Sequence, residues 1–249
     1  MFPVIFKSSF FTLYSYPLFM GLAWGVGFYL TLYLFEKNRA DPSDILKLYL
    51  GLFVSAWVGA KAFFLLFSSQ SRALQYVYAD YFWFGGGFVF YGGLLFGLTF
   101  YLIYTLVFKK FSIKKSYLLI PGLIFGHAIG RVGCFLTGCC YGRVCDLPWK
   151  VYMDGAYRHP VQLYEAFALF LLGYFSLRWI KGKKNLFVLT NYLLSYSVIR
   201  FFLEFFRGDD VRGVLWFQLS TSQNISIGLF LVALVVRSRI LCKAIQPSS

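Results

Sequence analysis

Apolar runs close to twenty residues long recur from one end of this chain to the other. A run of that length, coiled as an α-helix, crosses the roughly 30 Å hydrocarbon core of a bilayer. Lipid offers the backbone no hydrogen-bond partners, so a chain built of such runs has few folds open to it, and a helix bundle is the one that fits. The expected fold is an all-α polytopic membrane protein. Seven spans are predicted, at approximately 16–35, 47–67, 84–108, 117–138, 161–179, 186–206 and 215–236. Hydrophobic residues make up 59% of the 249 positions and charged residues 14%, where soluble domains carry about a quarter charged. No linker or low-complexity stretch divides the chain, so residues 1–249 read as one integral membrane domain. The stretch before Tyr16 carries only Lys7 and lacks the charged start and cleavage site of a signal peptide.

The chain has 24 Lys and Arg against 10 Asp and Glu, a net charge of +14. With seven spans, the clusters Lys37/Arg39/Lys47, Lys109/Lys110/Lys114/Lys115, Arg178/Lys181/Lys183/Lys184 and Arg237/Arg239/Lys243 all fall on one face of the membrane. That face holds fourteen of the basic residues, the opposite face seven, and three lie within spans. The positive-inside rule then predicts the N-terminus outside and the C-terminus in the cytoplasm. The excess charge reads as topology and contact with anionic lipid, and no nucleic-acid partner is expected.

Three spans hold bases where insertion costs about 2.5–3.5 kcal/mol. Such residues face a bundle interior or a watery cavity. In "HAIGRVGCFLTGCCYGR" (residues 127–143), His127, Arg131 and Cys134 lie on one helical stripe at i, i+4 and i+7. Beside them Gly122, Gly126 and Gly130 form a small-residue face that lets a neighbouring helix come close. Arg131 therefore either contacts substrate or is neutralised by a carboxylate from elsewhere. "SYSVIRFFLEFFRGDDVRG" sets Tyr196, Arg200, Glu204 and Arg207 on a second stripe. Arg200 and Glu204 are spaced to pair, and Arg207 is near enough to the outer boundary to snorkel. Arginine's planar, permanently charged fork suits phosphate. Two buried arginines converging on one cavity thus point to a phospholipid head group.

"RHPVQLYEA" opens the fifth span, with Pro160 suited to a first helical turn and Gln162 and Glu165 on one face. His159 beside it reads as a cap or as a chemical group. "WFGGGFVFYGGLLFG" is too rich in glycine for a stable helix by itself and suggests irregular backbone lining a cavity, with Tyr91 between its glycine groups. Lys61 is the third buried base, able to reach toward the outer interface. The expected cavity opens to the outer leaflet and is lined by Arg131, Arg200, Glu204, His127, Tyr91 and Tyr196. The five cysteines (Cys134, Cys139, Cys140, Cys145 and Cys242) lack the CxxC…CxxC spacing of a zinc site, so no metal and no other cofactor is expected. Cys139 or Cys140 could bridge to Cys145 in an oxidising compartment, or all could remain thiols.

These motifs carry a resemblance. "GRVGCFLTGCCYGR" resembles the GR-x-G-[NC]-F core of the phosphatidylglycerol–prolipoprotein diacylglyceryl transferase family, followed by a second glycine pair and an arginine. "HPVQLYEA" resembles the family's HPsQLYE motif, "RFFLEFFRGDD" its R-F-x-x-E-F-x-R-x-x-D motif, and "FYGG" stands where the family has F-H-G-G. "PVIF…YPL" looks like the opening segment, with Tyr16 at the family's tyrosine. The matches occur in the family's order across nearly the whole chain.

The resemblance implies transfer of the diacylglyceryl group of phosphatidylglycerol to the lipobox cysteine thiol of a prolipoprotein signal peptide, with glycerol phosphate leaving. The setting it implies is the bacterial inner membrane, as a multi-pass protein. It implies that Arg131 binds phosphatidylglycerol, that Arg200 is the second essential arginine, and that Glu204 orients them. Tyr16 and Tyr196 would line the lipid or peptide site. Gly92, Gly93, Gly130, Gly133, Gly142, Gln162, Glu165 and Arg207, the other motif positions, are expected to contact substrate. Seven spans suffice to enclose a site, so a monomer is expected.

The chain departs from the pattern where the family has its proposed catalytic histidine, since Tyr91 stands there. His127, which the usual pattern lacks, is either a replacement base or a helix–helix contact. Tyrosine titrates near 10 and serves as a base only with a neighbouring arginine. Cys134 and the GCCYG tail replace asparagine-containing or acidic versions, which marks a divergent branch. Two other readings share parts of the pattern. One is a paralogue on the same scaffold with another lipid donor or thiol acceptor. The other is a non-catalytic phospholipid-binding or transport protein, for which the internal repeats of a transporter are missing.

Overall fold

The computed structural model describes residues 3–8, 12–67, 88–109, 111–181, 185–208 and 219–245. Seven α-helices lie among them: α1 (Ser15–Lys37), α2 (Ile45–Phe67), α3 (Phe90–Leu102), α4 (Ile120–Thr137), α5 (Val161–Lys181), α6 (Asn185–Leu203) and α7 (Thr221–Ile245). A π-helical turn, Ile103–Val107, prolongs α3, and a 3₁₀ segment, Ile113–Leu119, leads into α4. Each predicted span overlaps one of these helices. Among the described residues, five segments are long and apolar enough to cross a membrane: Ser15–Lys37, Ile45–Leu66, Ile113–Thr137, Val161–Lys181 and Thr221–Arg239. Tyr91–Val107 is a shorter apolar helix. The chain is therefore a mostly helical membrane protein. Its last helix begins at Thr221 and runs to Ile245, displaced toward the C-terminus from the predicted 215–236. The glycines at 85–87, Lys110, Lys183, Lys184, Asp209 and Asp210 lie outside the described residues.

Two short antiparallel hairpins, absent from the all-helical expectation, sit outside the helices. β1 (Val4–Lys7) pairs with β2 (Thr12–Tyr14), and β3 (Val151–Met153) pairs with β4 (Ala156–Arg158). The β3–β4 turn is Asp154-Gly155, with φ of 47° and 75°. Positive φ at both central residues is what a two-residue turn between twisted strands requires, and Asp-Gly supplies it at little cost.

The chain forms two compact units, residues 1–27 with 117–249, and residues 28–116. In the first, α4 packs on α5, α5 on α6 and α6 on α7, and α4 also touches α6. Lipid tails are as apolar as leucine, so close backbone approach holds such helices together. A Cβ on Gly126 would stand 2.9 Å from the Ala23 carbonyl oxygen, and one on Gly133 2.8 Å from Phe19 Cβ. The glycine face of α4 is thus the seat of the first half of α1. The buried side of α5 holds Gln162, Glu165, Ala166, Gly173 and Ser176, while Phe167, Phe170, Phe175 and Tyr174 are exposed. Leu169 and Leu172 also face inward, and with the aromatic residues turned outward the helix has one face for its neighbours and one for lipid.

In the second unit α2 packs on α3. A side chain on Gly92 would run into the Gly59 carbonyl oxygen and Phe63, and one on Gly93 would stand 3.1 Å from the Ala56 carbonyl oxygen. These two glycines, matched to substrate contacts by the motif, bring α3 against α2. Lys61 is buried, its ammonium 3.8 Å from the centroid of the Phe88 ring. The aromatic ring offers the charge a partner inside the unit.

Candidate active site

Glu165 lies in the second turn of α5 with its side chain fully buried. Its Oε2 is 3.1 Å from Arg131 Nε of α4, and its Oε1 is 3.7 Å from His127 Nε2 and accepts a 3.3 Å hydrogen bond from the Tyr196 hydroxyl of α6. The electrostatic reach of Glu165 extends to Arg200 and Arg207 as well. A carboxylate buried this deeply needs cations around it. The neutralised-arginine alternative for Arg131 is therefore realised, across helices. It does not use up the guanidinium. Arg131 meets both Glu165 and His127 through Nε, so its two terminal nitrogens carry no hydrogen bond to any described residue.

His127 accepts a 3.3 Å hydrogen bond at Nε2 from Arg131 Nε and sets its ring edge-on to Tyr196, centroids 5.4 Å apart. An imidazole that accepts at Nε2 is neutral with its proton on Nδ1. Its basic lone pair is already engaged.

Arg200, one turn beyond Tyr196, donates through Nη2 to Glu204 Oε2 at 2.6 Å and to Ser222 Oγ of α7 at 3.2 Å. Its Nη1 is buried and has no hydrogen-bond partner among the described residues. A buried guanidinium donor left unmet costs about 1–3 kcal/mol or more. Ser222 was not foreseen, since nothing in its local sequence distinguishes it from the other polar residues at the start of α7.

The loop after α4 locks the remaining motif residues together. Gly142 N–H donates to the His159 carbonyl, Arg143 N–H to the Phe206 carbonyl and Gly208 N–H to the Tyr141 carbonyl. Gly142 also pairs with Arg207 in an isolated antiparallel bridge. A Cβ on Gly142 would collide with His159 and Val161, so the position is closed to other residues. Arg207 is buried, with its charge in electrostatic reach of the Cys140 thiol. It does not snorkel, because this backbone bridge fixes it under the loop. Gln162 donates to the Cys139 carbonyl at 2.6 Å. His159 packs edge-on to Phe206, with Nδ1 3.4 Å from the Tyr164 hydroxyl.

Cys134, Cys139 and Cys140 converge, their sulfurs within 4.8 Å of one another, and these three and Cys145 are free thiols. Cys145, which could have bridged to one of them, lies beside the β3–β4 hairpin, its N–H bonded to the Tyr157 carbonyl. Hydrogen bonds with the Cys134 and Cys139 thiols, then the Arg207 charge, hold the Cys140 thiol well below the ordinary thiol range. Tyr16, at the start of α1, is within electrostatic reach of these thiols and of Arg131. Tyr91 belongs to the other unit and is half-exposed.

Three helices and one loop thus gather a buried carboxylate, three arginines, a histidine and three thiols, and the segments concerned are the motifs of the sequence. The family model described as prolipoprotein diacylglyceryl transferase matches residues 3–238. The chain belongs to this family. It is 31% identical over 236 residues to the phosphatidylglycerol–prolipoprotein diacylglyceryl transferase of Pasteurella multocida, covering 87% of each chain. The protein of that name from Clostridium tetani is 34% identical over 160 residues, 61% of this chain and 64% of the relative. That from Thermosynechococcus vestitus is 30% identical over 216 residues, 82% and 80% of the two chains. Against the diacylglyceryl transferase motifs, the HPVQLYEA glutamate faces the GRVGC arginine, and the RFFLEFFRG arginines stand beside both.

Proposed function

We propose that this chain transfers the diacylglyceryl group of phosphatidylglycerol to the lipobox cysteine thiol of a prolipoprotein, releasing glycerol phosphate in the first step of lipoprotein maturation. The observation that carries the reading is the set of unmet guanidinium donors, Arg200 Nη1 and the terminal nitrogens of Arg131. A phosphodiester oxygen would take them. Charge-assisted bonds of this kind strengthen as the glycerol carbon–oxygen bond breaks and negative charge gathers on the departing phosphate. Glu165 and Glu204 hold the two arginines in place, and Tyr16, Tyr196, Gln162 and Arg207 border the site. The thiol must lose its proton to attack. His127 takes it in this reading, once a phosphate draws Arg131 away from Nε2; Tyr91 is the other candidate. The chain sits in the bacterial inner membrane with seven spans, N-terminus out and C-terminus in, as a monomer.

The test is glycerol phosphate release by purified protein given phosphatidylglycerol and a lipobox peptide. Arg131→Ala is expected to abolish release while the protein stays folded, and a wild-type rate in that variant would sink the phosphate clamp. Loss of release in His127→Ala but not in Tyr91→Phe assigns the base to histidine; the reverse assigns it to tyrosine. No release by the wild type, with lipid still bound, favours the paralogue with another donor or acceptor, the reading to which Tyr91 and the thiols lend support.

A further inference from the structure

Three thiols that the linear spacing keeps apart are gathered where α4 ends. Gly138 and Cys140 both take positive φ, 77° and 61°. The chain reverses there and lays Cys139 and Cys140 back toward Cys134, with Cys139 Sγ 3.6 Å from the Cys134 carbonyl oxygen. Left-handed backbone at a cysteine is uncommon, and such outliers cluster at functional sites. With each sulfur about 2.3 Å from a zinc ion, three thiolates stand about 3.8 Å apart. The 4.8 Å limit observed here is close enough for side-chain rotation to complete the set. Arg131 lies one turn before Cys134 on α4, so the cluster sits next to its guanidinium group. Soft sulfur ligands select zinc over magnesium or calcium, and three protein ligands leave the fourth tetrahedral position open, as in catalytic zinc sites.

We infer that Cys134, Cys139 and Cys140 bind a zinc ion whose open position takes the acceptor cysteine thiol beside Arg131. This rests on the transferase reading above, with the metal in place of His127 or Tyr91 as the group that activates the thiol. A thiol on zinc loses its proton outright, here to solvent on the exposed side of Cys139. The zinc-held sulfur forms the C–S bond to the glycerol carbon as the C–O bond to phosphate breaks, and that electron pair leaves on the phosphate oxygen. Zinc keeps its charge throughout, and the neutral thioether product, a poorer ligand than thiolate, departs. The site supplies an activated thiolate in a chain where tyrosine replaces the family's imidazole and Arg131 engages the lone pair of His127. The linear spacing gives no hint of it, because the ligands meet only through the left-handed turn.

Full-length protein purified under reducing conditions and dialysed against zinc should retain about one zinc per chain by elemental analysis. Cobalt(II) put in its place should give a thiolate-to-metal charge-transfer band. Cys134→Ser, Cys139→Ser and Cys140→Ser should each lose that band, and Cys145→Ser should keep it. Chelation should slow glycerol phosphate release at least tenfold, with zinc restoring it. Zinc content equal in wild type and the triple serine variant would overturn the inference, as would a disulfide among the three in protein taken from native membranes. Full-rate turnover in chelator would remove the metal's catalytic role. The cobalt band needs no substrate, so a chain that shows the band yet releases no glycerol phosphate overturns the reaction and leaves the metal site standing.

Discussion

At the scale of single residues, Glu165 is where the charge of the site is balanced. It contacts Arg131 and His127 of α4 and Tyr196 of α6, and its burial makes every cation near it a partner. Removing one member of a buried ion pair strands the other, at a cost of about 3–5 kcal/mol. Glu165→Gln should therefore lower the melting temperature in detergent and slow turnover, both against a wild-type control. Unchanged melting would mean that Arg131 is satisfied some other way. Arg200→Lys is a second discriminating change. One ammonium cannot reach Glu204, Ser222 and a phosphate together as the planar fork does, so turnover should fall roughly 10- to 100-fold with the charge preserved. The arginines, the histidine and Glu165 were legible in sequence as polar residues on periodic stripes. That Arg131 and Glu165 form an ion pair was not, since periodicity tells which face of a helix a residue occupies and never which helix it meets.

At the scale of elements, glycine decides which helices touch. Gly133 has Phe19 against it, whereas Gly21 has nothing within 4 Å of where a Cβ would stand. Gly133→Ala should destabilise the protein by about 1–3 kcal/mol through overpacking. Gly21→Ala should be neutral or slightly stabilising, since alanine is the better helix former. Thermal unfolding of both variants in detergent checks the contrast, and equal behaviour would show that α1 is not seated on the glycine face. The four-residue spacing of Gly122, Gly126 and Gly130 announced this contact; its partner, the first half of α1, came only with the fold. The β3–β4 hairpin was announced too, by Asp154-Gly155, but a six-residue pairing in a chain of apolar helices is easily passed over. Gly142 was expected at substrate and is closed in by His159 and Val161, which gives it a structural reason independent of any ligand.

At the scale of the whole molecule, the distribution of charge predicts orientation. With seven spans, fourteen basic residues on one face against seven on the other predict a cytoplasmic C-terminus. A reporter that folds only in the cytoplasm, fused after Ser249, should be active, and one that works only outside should be silent; the opposite result would reverse the topology. The sequence by itself determined the helical membrane class, the helix positions to within a few residues along most of the chain, the polar stripes and the family. Each of these is local or one-dimensional: helix period, run length, and motif order along the chain. Only the tertiary structure decided that Glu165 neutralises Arg131, that Ser222 holds Arg200, that Arg207 is pinned beneath the loop, and that Cys134 meets Cys139 and Cys140 in place of a bridge to Cys145. Each of those depends on a turn or a helix contact that joins distant or reversed segments, and such closure is set by packing and hydrogen-bond satisfaction across the fold, which no window of sequence contains.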